Sequence, residues 1–365
     1  MKITFVLPPV NMSGGIRVAA IHARLLATRG HEVVLVSPPP QPRRAPLRQR
    51  LRPAVFGGAR RAAPRSHLDG SGLDHRVLEV WRPVVDTDVP DADVVIATWW
   101  ETAEWVARLG PTKGTKVYFI QHHEVFEWLA HERSRATYRL PLHKVVVAEW
   151  LRRVMAETYG DRAVDVVPNS IDHLQFHAAP RGRQARPTVG FLYSHVKFKG
   201  VDVTLRALDL LRERLPDLRV VAFGSAKPPR PLAGVEFHQE PPQDGLRDLY
   251  ACCDVWLTAS RTEGFNLPAM EAMACRTPVV STRTGWPEEA IDGRNGALVE
   301  VDDAPALAAA ALRFLSMSDG AWRLASQAAF ETVQGSSWDR AGDEFERALG
   351  RAVERGAAGA LKVAA

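Results

Sequence analysis

The stretch from Asp254 to Thr282 constrains most strongly what this chain can fold into. Its first part, Val255-Trp256-Leu257, is an apolar run that ends in small polar residues, as in a buried strand reaching its carboxyl end. Pro268 then opens a helical pattern, and proline is tolerated there because the first helical turn lacks N–H partners anyway. Val279-Val280 begins another strand. We therefore predict a strand–loop–helix–strand unit whose loop lies at the carboxyl edge of a parallel sheet, where open α/β folds bind ligands.

Two carboxylates occur in this unit, Glu263 in the loop and Glu271 inside the predicted helix. Between them, the backbone N–H groups of Phe265, Asn266 and Leu267 are predicted at a helix N-terminus, which is a suitable site for an anion. A carboxylate accepts hydrogen bonds from sugar hydroxyls, and one inside the helix suits the paired hydroxyls of a ribose. This layout matches a sugar nucleotide from one end to the other.

The residues from Glu263 to Glu271 read EGFNLPAME and are followed by Ala-Met-Ala and Thr-Pro-Val-Val. This pattern resembles the E-x7-E signature of retaining glycosyltransferases of family 4, which have the GT-B fold. The resemblance implies an α/β protein of two facing Rossmann-like domains with parallel sheets, and a C-terminal helix that crosses back to the first domain. It implies transfer of a sugar, with retention, from a nucleoside diphosphate sugar to a hydroxyl of a glycan, a glycolipid or a natural product. In such a site Glu263 would orient the sugar, Glu271 would bind the ribose, and Gly264 and the three residues after it would line the donor.

A second part of the predicted donor site is the segment that ends in Lys199-Gly200. In the family that it resembles, a lysine at this point neutralises the donor diphosphate, and an arginine about five residues earlier shares the task. Ser194 stands at the arginine position here. Lys197 and His195 both stay open as the second donor, as does the backbone alone.

The first domain supplies the remaining candidates. Gly14 and Gly15 follow the first predicted strand and resemble the family's glycine loop, which approaches the donor phosphates and the acceptor. A histidine after a later strand faces the reacting sugar in the family, and His122 matches it better than His123. His123 begins an incomplete H-E-x-x-H pattern, since Glu127 replaces the second histidine. We predict no metal site and no cofactor beyond the donor substrate.

Length and composition place these motifs in a cytoplasmic, two-domain protein. The chain has 365 residues, of which 46% are hydrophobic and 24% charged, as in a globular protein. No stretch is long and apolar enough for a transmembrane helix, and the first strand is too short for a signal peptide. Three cysteines, two of them adjacent, do not suggest a disulfide framework. We predict no nucleic-acid partner.

The alternation of strands and helices, with a linker-like composition at 177–187, predicts a first domain at residues 1–176 with a basic insertion at 38–76, and a second domain at 188–334. The family resemblance implies that the first domain lies on the acceptor side, that the second binds the nucleotide sugar, and that a helix at 335–355 returns to the first domain. Within the insertion, residues 43–65 contain eight arginines and no acid. We expect self-repulsion to keep such a segment open. It is either a solvated loop or a contact with an anionic membrane or a lipid-linked acceptor.

Two alternatives to a transferase stay open at this stage. One is a sugar-nucleotide epimerase or hydrolase of the same fold. The other is a catalytically silent subunit that binds sugar nucleotides, which the serine at position 194 favours. The sequence identifies neither the sugar, nor the base, nor the acceptor.

Overall fold

Apolar strands that alternate with helices form two separate parallel sheets in this chain. The computed structural model describes residues 1–41, 65–126 and 128–359. The arginines predicted to form a basic surface therefore lie outside the described residues, except Arg65. The described chain divides into two units, one built from residues 1–146, 152–166 and the chain from Gly342 onward, the other from residues 147–151 and 167–341.

Among its described residues, the first unit contains seven strands, three complete α-helices and most of two others. In chain order they are β1 (Lys2–Val6), α1 (Gly14–Thr28), β2 (Glu32–Ser37), β3 (Asp74–Val77), β4 (Val94–Ala97), α2 (Trp100–Arg108), β5 (Thr115–Ile120), α3 (His131–Thr137), β6 (His143–Val146), α4 (Glu149–Tyr159) and β7 (Asp165–Val166), and the unit is completed by the C-terminal helix given below. The sheet order is β3-β2-β1-β4-β5-β6-β7, and all neighbours are parallel. The order changes direction between β1 and β4.

The second unit contains six strands, and helices follow most of these strands along the chain. Its elements are β8 (Thr188–Leu192), α5 (Val201–Arg214), β9 (Arg219–Gly224), β10 (Glu236–Gln239), α6 (Leu246–Ala251), β11 (Val255–Thr258), α7 (Leu267–Ala274), β12 (Val279–Thr282), α8 (Pro287–Ala290), β13 (Gly296–Val299), α9 (Ala304–Leu315) and α10 (Asp319–Gln334), and the last helix of the chain, α11 (Trp338–Ala357), begins here. The sheet order is β10-β9-β8-β11-β12-β13, again parallel throughout. A core of aliphatic and aromatic residues fills the space between this sheet and helices α5 and α9.

Helix α11 begins in the second unit, and its residues from Gly342 onward belong to the first. Phe345 is fully buried, with its ring centroid 4.9 Å from that of Phe119 and 4.4 Å from that of His22. Burial lowers the pKa of His22 to about 3, so this histidine is a neutral core residue near pH 7. An ion pair of 2.8 Å between Arg351 and Asp165 adds a polar contact to the same helix.

The structure divides the chain differently from the predicted linker at 177–187. Arg181 donates to the carbonyl of Cys253 at 2.5 Å, and the backbone N–H of Gln184 donates to Asp254 at 2.8 Å. Residues 167–187 therefore belong to the second unit. A segment with the composition of a linker is held here by hydrogen bonds to distant residues, which composition alone does not reveal.

The predicted insertion at 38–76 is too long at its C-terminal end. Residues 74–77 form β3, which pairs in parallel with β2, and His75 contacts Ser37 at 2.8 Å between Nε2 and Oγ. The strand was missed because Asp74, His75 and Arg76 at an exposed sheet edge lack the apolar pattern that marks a buried strand.

No helix among the described residues is both long and apolar enough to cross a bilayer. The three cysteines, Cys252, Cys253 and Cys275, are free thiols.

Candidate active site

Two loops lie side by side at the carboxyl edge of the second sheet. One follows β8 and the other follows β11, and these two strands are neighbours in the sheet. The strand order runs through β9 on one side of this pair and through β12 on the other. Such a switch in strand order is where open α/β sheets bind ligands.

Gly200 brings the two loops into direct contact. Its φ of 62° is in the left-handed region, and a Cβ atom at this position would stand 1.9 Å from the carbonyl oxygen of Ala259. Only glycine fits such a close approach of two backbones. The N–H of Arg261 also donates to the carbonyl of Phe198 at 2.7 Å, so the loops are joined by backbone as well.

The side chains of Lys199 and Glu263 meet where the loops touch. The ammonium of Lys199 donates to both carboxylate oxygens of Glu263, at 2.7 and 2.9 Å. Ser260 donates to the same carboxylate at 2.7 Å. The Glu263 side chain is only 7% exposed and that of Lys199 25%, so a paired cation and anion lie at the edge of solvent. The structure thus brings together two of the three residues predicted to be catalytic.

A solvent-open cavity adjoins this pair. Its polar lining consists of Lys199, Thr204, Thr258, Ser260, Glu263 and Asn266. Hydroxyl, amide, ammonium and carboxylate groups around one cavity suit a ligand with many hydroxyl and phosphate oxygens.

The turn between the two glutamates leads directly into α7. Asn266 adopts a left-handed conformation with φ 81° and donates from its side chain to Thr258 at 2.9 Å. Gly264 and Phe265 are buried, and Leu267 is the first residue of the helix. N–H groups at this point have no partner inside the helix, as the predicted anion site requires.

Glu271 lies one turn inside α7 and is not among the residues that line the cavity. It is 3% exposed, and the hydroxyl of Tyr250 donates to its Oε2 at 2.7 Å. Tyr250 is itself fully buried against Trp256, with ring centroids 4.6 Å apart. This contact fixes one oxygen of the glutamate.

Three residues of the loop after β8 were considered for a second hydrogen bond to the donor diphosphate. The hydroxyl of Ser194 accepts from the N–H of Val196 at 3.1 Å and so stabilises the turn. His195 is exposed, with Nε2 at 3.0 Å from the carbonyl of Lys227. Lys197 is exposed on the same loop. Their roles stay predictions.

Arg261 was not recognised from the sequence. Its guanidinium forms bonds of 2.8 and 3.0 Å with the carboxylate of Asp202, at 2.7 Å with Asp302, and at 2.7 Å with the carbonyl of Lys197. It therefore fastens the loop after β8 to the loop after β11. Ser260 and Tyr250 were missed as well. Of these residues, only Ser260 could have been found from the sequence, because it precedes Glu263 by three residues and so lies in the same short loop.

The first unit carries Gly14 and Gly15 in the first turn of α1, at the carboxyl end of β1. The side chain of Gln121 donates to the carbonyl of Gly15 at 3.0 Å. Because Gln121 directly follows β5, this bond places the glycine turn near the predicted histidines. Neither glycine has a positive φ, so their small size, rather than backbone strain, distinguishes them here.

His122 and His123 have different surroundings. Nδ1 of His122 lies 3.0 Å from the carbonyl of His123, and its ring centroid is 5.0 Å from that of Phe126. His123 is turned toward Tyr159, with Nε2 at 2.7 Å from the hydroxyl. Burial, together with electrostatic interactions with the nearby His122 and Arg135, lowers the pKa of His123 to about 4.

Comparison with known families accounts for both halves of the chain. A family model described as Glycosyltransferase Family 4 matches residues 12–174, and one described as Glycosyl transferases group 1 matches residues 186–317. The chain belongs to glycosyltransferase family 4. Its membership confirms the resemblance predicted from residues 263–271, although neither match tests the role of the two glutamates.

Curated relatives agree with this assignment. The chain is 35% identical over 177 residues to a D-inositol 3-phosphate glycosyltransferase of Corynebacterium diphtheriae, covering 43% of this chain and 40% of the relative. It is 30% identical over 192 residues to a GDP-mannose-dependent α-(1-6)-phosphatidylinositol monomannoside mannosyltransferase of Mycolicibacterium smegmatis, covering 45% and 50%. The chain thus spans about half the length of the curated relatives it matches.

Solved structures confirm the predicted GT-B fold class. Sucrose-phosphate synthase from Thermosynechococcus elongatus is 16% identical with a TM-score of 0.73, and covers 98% of this chain and 100% of its own. HepE from Anabaena, solved in complex with UDP, is 15% identical with a TM-score of 0.75, covering 96% and 100%. At such identities the likeness concerns the fold.

Proposed function

We propose that this family 4 chain transfers a sugar from a nucleoside diphosphate sugar to a hydroxyl acceptor, with retention at the anomeric carbon. The observation that carries the proposal is the contact of Lys199 with Glu263 beside the start of α7, at the switch in strand order. This arrangement supplies a cation and helix N–H groups for a diphosphate, and a carboxylate for sugar hydroxyls.

The reaction forms a bond between the anomeric carbon and the acceptor oxygen and breaks the bond from that carbon to the β-phosphate oxygen. The acceptor proton passes to the departing diphosphate on the same face, which suits retention without a protein nucleophile. The protein then contributes chiefly by stabilising the charge that develops on the leaving group. The ammonium of Lys199 has three N–H donors. Two contact Glu263, and the third is available for a phosphate oxygen.

Glu263 and Glu271 take separate parts in this proposal. Glu263 lines the cavity and orients the transferred sugar, whereas Glu271, held by Tyr250, addresses the ribose. The acceptor belongs to the hydroxyl-bearing rings for which the relatives are named, inositol phosphate and phosphatidylinositol monomannoside, with lipid-linked forms included.

The division of roles predicts different binding of the free nucleotide. Glu271→Ala should weaken binding of the nucleoside diphosphate at least about tenfold, because hydrogen bonds to a charged group are worth about 1.5–3 kcal/mol. Glu263→Ala should leave that binding within about twofold and impair transfer, since it addresses the sugar. Titration calorimetry with UDP, GDP and dTDP measures the first effect, and product analysis with the matching sugar donors measures the second.

A suitable control is Glu300→Ala, which removes a glutamate of the same unit that forms only a surface ion pair with Arg283. Equal losses of nucleotide binding in both site variants would refute the division of roles. The nucleotide base of the donor is identified beforehand by measuring thermal shifts with UDP-, GDP- and dTDP-sugars. A ligand at 100 times its Kd adds about 2.7 kcal/mol of stability to the folded protein. Epimerised or hydrolysed donor, with no transfer to any hydroxyl, would refute the transferase itself. Donor binding without any reaction would identify a silent binding subunit.

A peripheral membrane contact through residues 43–65 is a further part of the proposal, with the protein on the cytoplasmic side. Eight arginines without an acidic residue support it, since each cation near an anionic leaflet contributes about 1 kcal/mol. Replacing four of them by serine should reduce co-sedimentation with anionic vesicles at low salt and leave donor hydrolysis unchanged. The variant carries the changes R44S, R48S, R52S and R60S.

The control for this membrane contact removes four arginines of the second unit and so changes the net charge equally. Its substitutions are R206S, R212S, R283S and R294S. All four arginines form surface ion pairs. Equal loss of vesicle binding in both variants, or no binding by the unmodified protein, would refute a contact specific to residues 43–65.

A further inference from the structure

Glu124 anchors the segment that follows β5. The residue is 4% exposed, and its Oε2 accepts from the N–H of Trp100 at the start of α2, at 2.9 Å. Its own N–H donates to the hydroxyl of Tyr138 at 2.7 Å, and Ser134 donates to its carbonyl at 2.6 Å. Three bonds, to α2, to α3 and to the residue that directly follows α3, therefore fix Glu124, which the proposed reaction does not use.

A pair of aromatic rings follows Glu124 along the chain, and its first member lies two residues after that glutamate. Phe126 and Trp128 are stacked with centroids 4.5 Å apart and planes 7° apart. The ring of Phe126 also lies near that of His122, with the two centroids 5.0 Å apart. The pair thus stands directly beside the residue that the family resemblance assigns to the reacting sugar.

Trp128 is unusual among the tryptophans of this protein. The chain has ten, all within the described residues, and Trp128 alone is largely exposed, at 60%. A tryptophan held by stacking presents a broad ring with little conformational freedom left to lose on binding.

The surroundings select the kind of ligand. Helix α3, which begins three residues after Trp128, opens with the polar residues His131, Glu132 and Arg133, so the rings are followed along the chain by polar groups rather than by an apolar segment. A surface that inserts into a bilayer needs an extended apolar face instead. A sugar or cyclitol ring presents C–H groups on one face, which suit the negative face of an indole, and hydroxyls at its rim, which suit polar neighbours.

His122 fits such a ligand. The contact of its Nδ1 with a backbone carbonyl, at 3.0 Å, favours the tautomer with the proton on Nδ1. In that tautomer Nε2 is an acceptor for a hydroxyl proton.

We propose that Phe126 and Trp128 form a stacking platform for the ring of the acceptor, a sugar or a cyclitol, beside His122. The platform rests on the proposed function, because it assigns the acceptor's place within that reaction. This role explains why the segment is held by hydrogen bonds at Glu124 and why Trp128 is nevertheless exposed.

The test uses the full chain, the donor selected by the thermal-shift panel, and two acceptor probes, D-inositol 3-phosphate and methyl α-D-mannopyranoside. Trp128→Ala should raise the KM for the probe that is used at least about fivefold, since losing one stacking partner weakens binding by about that factor or more. The KM for the donor and the rate of donor hydrolysis should stay within about twofold. Trp128→Phe should restore most of the loss, and Leu324→Ala, which removes a leucine of the other unit that is 75% exposed, should change none of these values.

A binding measurement separates the platform from the proposed reaction. In protein labelled with ¹⁵N-tryptophan, the indole signal of Trp128 is assigned by its absence in Trp128→Phe, and methyl α-D-mannopyranoside should shift that signal selectively. A selective shift of the Trp128 signal, with no transfer to these probes or to any other hydroxyl, would refute the transferase and retain the ring-binding platform. Transfer with an unchanged acceptor KM in Trp128→Ala would overturn the platform, as would an unshifted Trp128 signal. Loss of vesicle binding in Trp128→Ala, with the acceptor KM unchanged, would identify a membrane contact and also overturn it.

Discussion

Replacing Lys199 by methionine should lower turnover more than about tenfold, because a charge-assisted hydrogen bond to the leaving diphosphate is worth about 1.5–3 kcal/mol. The same change should lower the thermal stability, since it leaves the buried carboxylate of Glu263 with Ser260 but without its cation. Removing one partner of a pair that is largely buried costs about 2 kcal/mol or more. Steady-state kinetics and thermal unfolding measure the two effects separately.

The double variant Lys199→Met with Glu263→Gln separates catalysis from folding. A neutral glutamine no longer needs a cation, so the double variant should regain much of the stability lost by Lys199→Met while remaining as inactive. Lys113→Met is the matched control, because Lys113 of the other unit pairs at 2.9 Å with Asp91, whose side chain is 71% exposed and so needs no cation to stay solvated. It should change turnover less than about twofold, as surface pairs contribute little. Full activity in Lys199→Met would show that the loop after β8 does not bind the diphosphate.

Introducing a single methyl group at Gly200 should disrupt the site as a whole. An alanine there needs a left-handed conformation, and its Cβ would meet the carbonyl oxygen of Ala259 at 1.9 Å. Strain and overlap together should cost about 3 kcal/mol or more. For a unit of this size that lowers the Tm by about 6 °C or more. Activity should fall further than stability predicts, because relief of the overlap separates Lys199 from Glu263.

Gly293→Ala distinguishes the overlap from the backbone conformation. Gly293 lies in the same unit with φ 90°, and no atom stands within 4 Å of a Cβ placed there. Its replacement should cost only the left-handed strain, about 1–2 kcal/mol, with kinetics unchanged. If Gly200→Ala behaved like Gly293→Ala in unfolding and activity assays, the close contact between the two loops would not be what forms the site.

The local parts of the site could be read from the sequence because they depend on neighbours along the chain. The apolar run before residue 259, the proline at 268 and the Thr-Pro pair at 277 determine β11, α7 and β12 within one or two residues. Lys199 was placed beside a helix start by Gly200 and by the apolar spacing of α5. In the same way, the family was identified from nine contiguous residues.

The long-range parts could not be read in this way. Arg261 joins Asp202, Asp302 and the carbonyl of Lys197, and nothing in its local pattern distinguishes it from a solvated surface arginine. Tyr250 reaches Glu271 across 21 residues, and Arg181 reaches Cys253 across 72. Segment 177–187 has the composition of a linker yet is held by such bonds.

By itself the sequence determined the two α/β halves, the order of most strands and helices along the chain, and the candidate residues at the carboxyl ends of strands. Only the tertiary structure decided which of those ends adjoin. Lys199 and Glu263 are 64 residues apart and meet because β8 pairs with β11. Hydrophobic periodicity specifies which face of a strand is buried, but it does not specify the neighbouring strand. The pairing of β8 with β11 depends on the packing of the whole sheet, and that packing places the cation beside the carboxylate.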